Sequence, residues 1–143
     1  MAPLLARYLV AAFAKPCWQN LPSAIDAVIP VPTHLDRKKE RGYNQAELLA
    51  TEFCRRTQLN LQPAWVERIE YKRSQVGLTM IERFENVQNA FLASSHVQGR
   101  TILLIDDLCT TGATLNACAA AIKDAGGRAT YALALATPVS FDL

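Results

Sequence analysis

Residues 101–115 read Thr-Ile-Leu-Leu-Ile-Asp-Asp-Leu-Cys-Thr-Thr-Gly-Ala-Thr-Leu, and the rest of the chain is organised around them. Residues 102–105 are four apolar residues in a row, the pattern of a strand buried on both faces. Two carboxylates, Asp106 and Asp107, stand where that strand ends. Small and hydroxylic residues follow: Thr110, Thr111, Gly112, Ala113 and Thr114. The period then becomes helical, with Leu115, Cys118, Ala119, Ile122 and Ala125 on one stripe.

Strand, acid pair, short loop and helix form a layout suited to an anionic ligand. The first amides of a helix are unpaired and carry the positive end of its dipole, so they favour a phosphate. Gly112 lets the backbone approach closely, and the threonine hydroxyls add donors. Two carboxylates touching a phosphate would repel it. One sugar-width away they can accept hydrogen bonds from sugar hydroxyls, or hold a hydrated magnesium ion. The plainer alternative makes Asp-Asp a turn and the threonines helix caps.

The chain has 143 residues, the size of one domain, and half of them are hydrophobic, enough for a substantial core. A net charge of +2 does not by itself predict nucleic-acid binding, although it leaves room for a local basic patch. The four cysteines, at 17, 54, 109 and 118, have no Cys-x-x-Cys spacing, and the histidines are His34 and His96. A zinc cluster and a disulfide framework are not expected. Scattered cysteines suit a reducing cytosol. No run approaches membrane-spanning length. The apolar start, with Leu4, Leu5, Tyr8, Leu9, Ala12 and Phe13, fits an amphipathic helix over residues 3–14 better than a signal peptide.

Residues 24–31 read as a buried strand that ends at Pro30 and Pro32. The next segment carries Thr33 and His34 and then the cations Arg37, Lys38, Lys39 and Arg41, and reads as a basic loop. A helix follows, with Ala46, Leu49 and Phe53 on one face and Arg55 and Arg56 at its end. In an α/β sheet the edge between a strand's carboxyl end and the next helix is where ligands bind. Taken alone, such a charge run is a solvated surface loop. Beside a phosphate-type loop it becomes a source of positive charge for a diphosphate.

Leu59, Leu61, Val66 and Ile69 suggest one or two short strands around Pro63. Residues 72–91 are polar and weakly periodic, with a short helix over 79–86. A segment of that length inside a compact domain is more often functional than idle. Residues 96–99 form a turn, Gly126 and Gly127 end the helix of the motif, and residues 128–137 alternate alanine with Tyr131, Leu133 and Leu135 as a strand. Residues 102–136 are thus a β-α-β unit.

Several phosphate-site motifs are absent. There is no Gly-x-x-x-x-Gly-Lys-Ser/Thr and no Gly-x-Gly-x-x-Gly. A receiver domain's acid pocket needs a late lysine, and none follows Arg128. There is no Ser-His-Asp elbow. Cys109 lies near a helix start, where a thiol can be activated, but reads more simply as a small side chain filling loop space.

Residues 102–115 resemble the phosphoribosyl pyrophosphate (PRPP) signature of type I phosphoribosyltransferases. Two further blocks narrow the match to the ComF/GntX branch. One is Pro30-Val31-Pro32 followed by Arg41-Gly42-Tyr43-Asn44-Gln45-Ala46. The other is Gln75-x-x-Leu78 followed by Arg83-x-x-Asn86-Val87-x-x-Ala90-Phe91. The resemblance implies a single type I phosphoribosyltransferase domain over residues 1–143. Its α/β fold would have a mostly parallel twisted sheet flanked by helices, and a hood or mobile segment at about 59–95.

In that fold Asp106 and Asp107 would bind the ribose hydroxyls, directly or through Mg2+. Thr110, Thr111, Gly112, Ala113 and Thr114 would cradle the 5′-phosphate. Thr33, His34, Arg37 and Arg41 would serve the pyrophosphate, and Gln75, Arg83 and Asn86 would belong to a closing loop. Arg83, Asp106 and Asp107 would be the catalytic set.

There are two departures from the family pattern. Thr110 stands where many type I enzymes have an acid that serves the transferred base. The cysteine-rich zinc module that commonly begins ComF proteins is missing, so no zinc is expected. The implied activity is transfer of ribose 5-phosphate to a nitrogen acceptor. The alternative is a PRPP sensor that assists DNA uptake without chemistry, with competence or DNA-uptake proteins as partners. A third reading is direct single-stranded DNA binding through residues 37–41, Arg55 and Arg56, with Trp18 or Trp65 stacking. A homodimer is compatible with all three.

Overall fold

A computed structural model of the chain describes residues 1–19, 25–69 and 90–137, with the side chains of 35–37 excepted. Residues 101–105 are completely buried, and the sheet is built around them. They belong to a strand, Thr101–Leu108, flanked by two parallel neighbours, Ala27–Pro30 and Ala129–Ala136. In chain order the strands are β1 (Ala27–Pro30), β2 (Val66–Arg68), β3 (Phe91–Ala93), β4 (Thr101–Leu108) and β5 (Ala129–Ala136). The sheet runs β1-β4-β5, and β2 and β3 form a separate antiparallel pair.

The period of two along β4 sorts its side chains between two layers. Ile102 and Leu104 face the same core as Ala27, Ile29 and Val31, which includes Val66 and Phe91 of the strand pair and Ala117, Cys118 and Ile122. The latter three lie on the helix Ala113–Asp124. Leu103 and Ile105 face the opposite core with Val28, Leu9, Leu49, Phe53 and Leu133. That layer is supplied by α1 (Ala2–Phe13) and α4 (Gln45–Thr57); the short helices α2 (Pro16–Gln19) and α3 (Leu35–Arg41) lie between them in the chain, and Ala113–Asp124 is α5. Each fully buried Leu or Ile contributes roughly 1.5–3 kcal/mol, so burial on both faces makes β4 the mechanical centre of the fold.

The bulky side of β5 faces the α1 layer: Leu133 is buried there, with Tyr131 and Leu135 packed beside it. Gly126, at φ +89°, takes the left-handed turn that ends α5. Gly127 is required for space, since a Cβ there would sit 2.5 Å from Ile122 Cγ2.

Pro30 ends β1 as expected, in register with Ile105, while three other expectations change. Val28 donates to Asn60 O and accepts from Gln62 N, so the even positions of β1 turn their backbone groups away from β4. Pro30 turns its nitrogen to that side too, and the pairing with β4 loses no donor. The basic loop is a helix, α3. Its Leu-Asp-Arg-Lys-Lys-Glu-Arg sequence is rich in good helix formers, and Gly42, at φ +74°, caps it by donating to Lys38 O. The strand signal around Pro63 resolves into a bridge from Leu61 to Val28, one turn of 3-10 helix at Pro63–Trp65, and β2. β3 was hidden at the end of a polar segment. The short helix expected over 79–86 lies outside the described residues.

Candidate functional site

β1 and β4 are parallel neighbours, so both carboxyl ends open on one edge of the sheet. The ladder runs one residue past β1, with Val31 N donating to Ile105 O at 2.9 Å. Thr33 and His34 therefore follow on the same edge of the sheet as the acid pair. Asn44 holds this edge in place. Its Nδ2 donates to Val31 O at 3.2 Å, and its Oδ1 accepts from Ala46 N at 3.0 Å as the cap of α4.

The same alternation that buries Ile102 and Leu104 turns Asp106 inward toward α5, leaving it 9% exposed. Asp107 is half-buried. Asp106 Oδ1 accepts from Asp107 N at 2.9 Å. Burial, and then the neighbouring Asp107 carboxyl, push Asp106 up from an ordinary 3.8 to about 7. The pair is therefore set against carrying two negative charges without a donor or a cation beside it.

Immediately beyond, Asp106 and residues 108–115 line a small concave pocket. Gly112, at φ +80°, is the N-cap of α5, and Thr111 Oγ1 accepts from Ala113 N at 3.3 Å. Thr110 and Thr111 are exposed. The loop is tied to β5, since Cys109 N donates to Ala136 O at 2.9 Å and Thr137 Oγ1 donates to Cys109 O at 2.8 Å. α5 has three turns, so its first amides face the pocket with a full dipole behind them.

The structure thus brings together Asp106, Asp107, Thr110, Thr111, Gly112, Ala113 and Thr114, with Thr33 and His34 on the same edge. Arg41 ends α3 and is exposed; among the described residues no hydrogen bond links it to the acid pair. Arg37 lies on α3, with its side chain outside the described set, and Gln75, Arg83 and Asn86 also lie outside it.

Arg68 was missed in the sequence. Its Nη2 lies 2.7 Å from His34 Nε2, and its guanidinium stands 5.2 Å from the centroid of the Phe91 ring. The signal was there: alternation along Val66-Glu67-Arg68 puts an arginine on the same side as the buried Val66.

Of the residues in the nucleic-acid reading, Lys38, Lys39 and Arg41 are exposed, while others have partners within the chain. Arg55 and Arg56 both donate to Glu52. Trp18 packs on Phe13 and Tyr131. Trp65 is stacked with His96 and meets the Arg100 guanidinium 4.9 Å from its ring centroid. No helix among the described residues is long and apolar enough to cross a membrane.

A parallel α/β sheet with an acid pair ahead of a helix-capped pocket is the layout of the phosphoribosyltransferase fold. Residues 9–139 match the phosphoribosyl transferase domain family. The chain belongs to that family, in its ComF branch. It is 37% identical over 94 residues to "Competence protein F" of Haemophilus influenzae, covering 64% of this chain and 41% of that protein. It is 34% identical over 90 residues to "DNA utilization protein YhgH" of Shigella flexneri, covering 63% and 40%. The chain thus spans about two-fifths of the length of these relatives. Among solved structures, its fold matches a glutamine PRPP amidotransferase from B. subtilis complexed with ADP and GMP. The TM-score is 0.64 at 15% identity, over 98% of this chain and 27% of that one.

Proposed function

We propose that the chain binds PRPP and transfers its ribose 5-phosphate to a nitrogen acceptor, releasing pyrophosphate. The observation that carries this reading is the acid pair at the end of β4, placed directly before the anion pocket at the start of α5. In this reading Asp106 and Asp107 accept hydrogen bonds from the ribose hydroxyls. Residues 110–114 hold the 5′-phosphate through backbone amides and hydroxyls. Thr33, His34, Arg37 and Arg41 serve the diphosphate, and Arg83 acts as a closing cation.

The C1–O bond to pyrophosphate breaks as the C1–N bond forms, through an oxocarbenium-like transition state, and the acceptor gives up its N–H proton. The chain's task is to align the diphosphate, stabilise its growing charge and exclude water. A raised Asp106 beside a second carboxyl fits a divalent cation as well as it fits sugar hydroxyls, so Asp106 and Asp107 are the residues that would hold Mg2+. When bound, magnesium supplies screening of the diphosphate and ribose oxygens. The reading also assigns the protein to the cytoplasm and to the handling of DNA, in keeping with the names of its relatives.

The test is incubation with PRPP, magnesium and a panel of nucleobases. Release of pyrophosphate with one base, and none without it, is the expected result. Thr110, in place of a base-activating acid, favours a second reading, a PRPP-binding competence or regulatory protein without catalysis. Calorimetric PRPP binding with no pyrophosphate from any base would select it. Arg83→Ala is expected to slow turnover more than it weakens binding; equal losses would remove Arg83 from that role.

A further inference from the structure

We propose that Asn44 is a positioning residue for the acid pair: it takes the last carbonyl of β1, which leaves the Asp107 amide free to hold the Asp106 carboxylate. The consequence for binding rests on the PRPP reading above and adds to it a residue outside the ligand shell.

The hydrogen bonds where β1 and β4 part carry the inference. In a parallel ladder a residue donates to one residue of the neighbouring strand and accepts from the residue two positions on. Val31 N donates to Ile105 O at 2.9 Å, one step past the end of β1. The next rung would run from Asp107 N to Val31 O. Among the described residues that rung is not made. Asp107 N donates to Asp106 Oδ1 at 2.9 Å, and Val31 O accepts from Asn44 Nδ2 at 3.2 Å. A donor and an acceptor that would pair across the strands are each taken by a side chain.

The two exchanges depend on each other. Val31 is buried, and a buried carbonyl needs a donor. Without the Asn44 amide, the donor opposite Val31 O is Asp107 N, and a closed rung would take that amide away from Asp106. With the rung open, the Asp106 carboxylate is held in one orientation. Groups already ordered before a ligand arrives bind it without the cost of ordering them.

The task needs both ends of a carboxamide. Asn44 Oδ1 accepts from Ala46 N at 3.0 Å and caps α4, while Nδ2 serves Val31 O. One partner can only donate and the other can only accept, which fixes the orientation of the amide. The bond to Val31 spans thirteen positions and closes the base of the segment that carries Thr33, His34 and α3. One side chain therefore sets where that segment leaves the sheet and how the acid beside it is held.

Two variants of the full chain separate positioning from capping. Asn44→Asp keeps the cap acceptor and loses the donor; Asn44→Ala loses both. In both, the Asp107 amide resonance is expected to move as that amide passes from a carboxylate to a carbonyl. Calorimetric titration with PRPP and magnesium is expected to show a loss of about tenfold or more in each. Thermal melts should separate them, with only Asn44→Ala lowered by loss of the cap. An Asp107 amide that stays in place in the folded variants overturns the proposal, and Asn44→Asp alone decides this if Asn44→Ala does not fold. Affinity unchanged in both variants overturns it, as does a loss confined to Asn44→Ala, which would follow stability, or to Asn44→Asp, which would be charge repulsion. If the wild type fails to bind PRPP, the PRPP reading falls and the Asp107 amide resonance decides the role of Asn44 by itself.

Discussion

Each end of β4 has an aspartate beside it, and the two are treated differently. At the amino end, Asp26 Oδ2 accepts from Thr101 N at 2.7 Å and lies 3.6 Å from Arg128 Nη2. Arg128 in turn donates twice to the Thr101 hydroxyl, at 3.2 and 3.1 Å, and Gly99 N donates to Gly126 O across the neighbouring turn. At the carboxyl end, Asp106 is turned inward next to a second acid and is driven toward neutrality. The amino end closes its polar accounts within the chain and so serves folding. The carboxyl end gathers two acids and a helix start, with His34, bonded to Arg68, on the same edge of the sheet. Strain of this kind at one edge and its absence at the other is how a stable sheet carries a site.

If the two ends divide the work in this way, changes at the carboxyl end should remove binding and spare the fold. The largest effect expected is from Asp106→Asn with Asp107→Asn: PRPP affinity falls by at least about a hundredfold, while the melting temperature is kept or raised. Unchanged affinity by calorimetry would break the comparison at its functional side. Gly127→Ala should do the reverse. Its new Cβ would meet Ile122 Cγ2 at 2.5 Å and Ile122 O at 2.9 Å. A loss of about 2–3 kcal/mol in urea unfolding is expected, with PRPP affinity unaltered at temperatures where the variant is folded.

The pH dependence sharpens the contrast. Because Asp106 is raised from an ordinary 3.8 to about 7 in the folded chain, the folded state holds that proton more tightly than the unfolded state does. The associated stability is complete below about pH 4 and is lost as the pH rises through 7. Asp106→Asn removes the titration, so between pH 5 and 8 the wild type should lose on the order of 2 kcal/mol relative to the variant. Parallel curves would show that the carboxyl end is no more strained than the amino end. The smallest effect is expected from Asp26→Ala, which removes an acceptor for a buried amide: about 1–2 kcal/mol by unfolding, with binding of PRPP unchanged.

Much of the site could be read from sequence because it is local. An apolar run, two acids and a threonine-rich turn into a helical period all fall within fifteen residues of one another, and their geometry follows from strand alternation and the helix start. The stripe on α5 and the glycines that end it were legible for the same reason. The basic segment was misread as a loop because its charge pattern carried no apolar period, although its residues favour a helix.

By itself, then, the sequence determined a β-α-β unit with an acid pair and a threonine-rich turn, and the branch of the family to which it belongs. Only the tertiary structure decided which distant groups meet. The parallel pairing of β1 with β4 put His34 on the same sheet edge as the acids. The β2-β3 pair delivered Arg68 to His34 across thirty-four positions, and the inward side of β4 gave Asp106 its burial. Residue type and local period are written along the chain, whereas desolvation and the partner of a charge depend on what the fold packs around it.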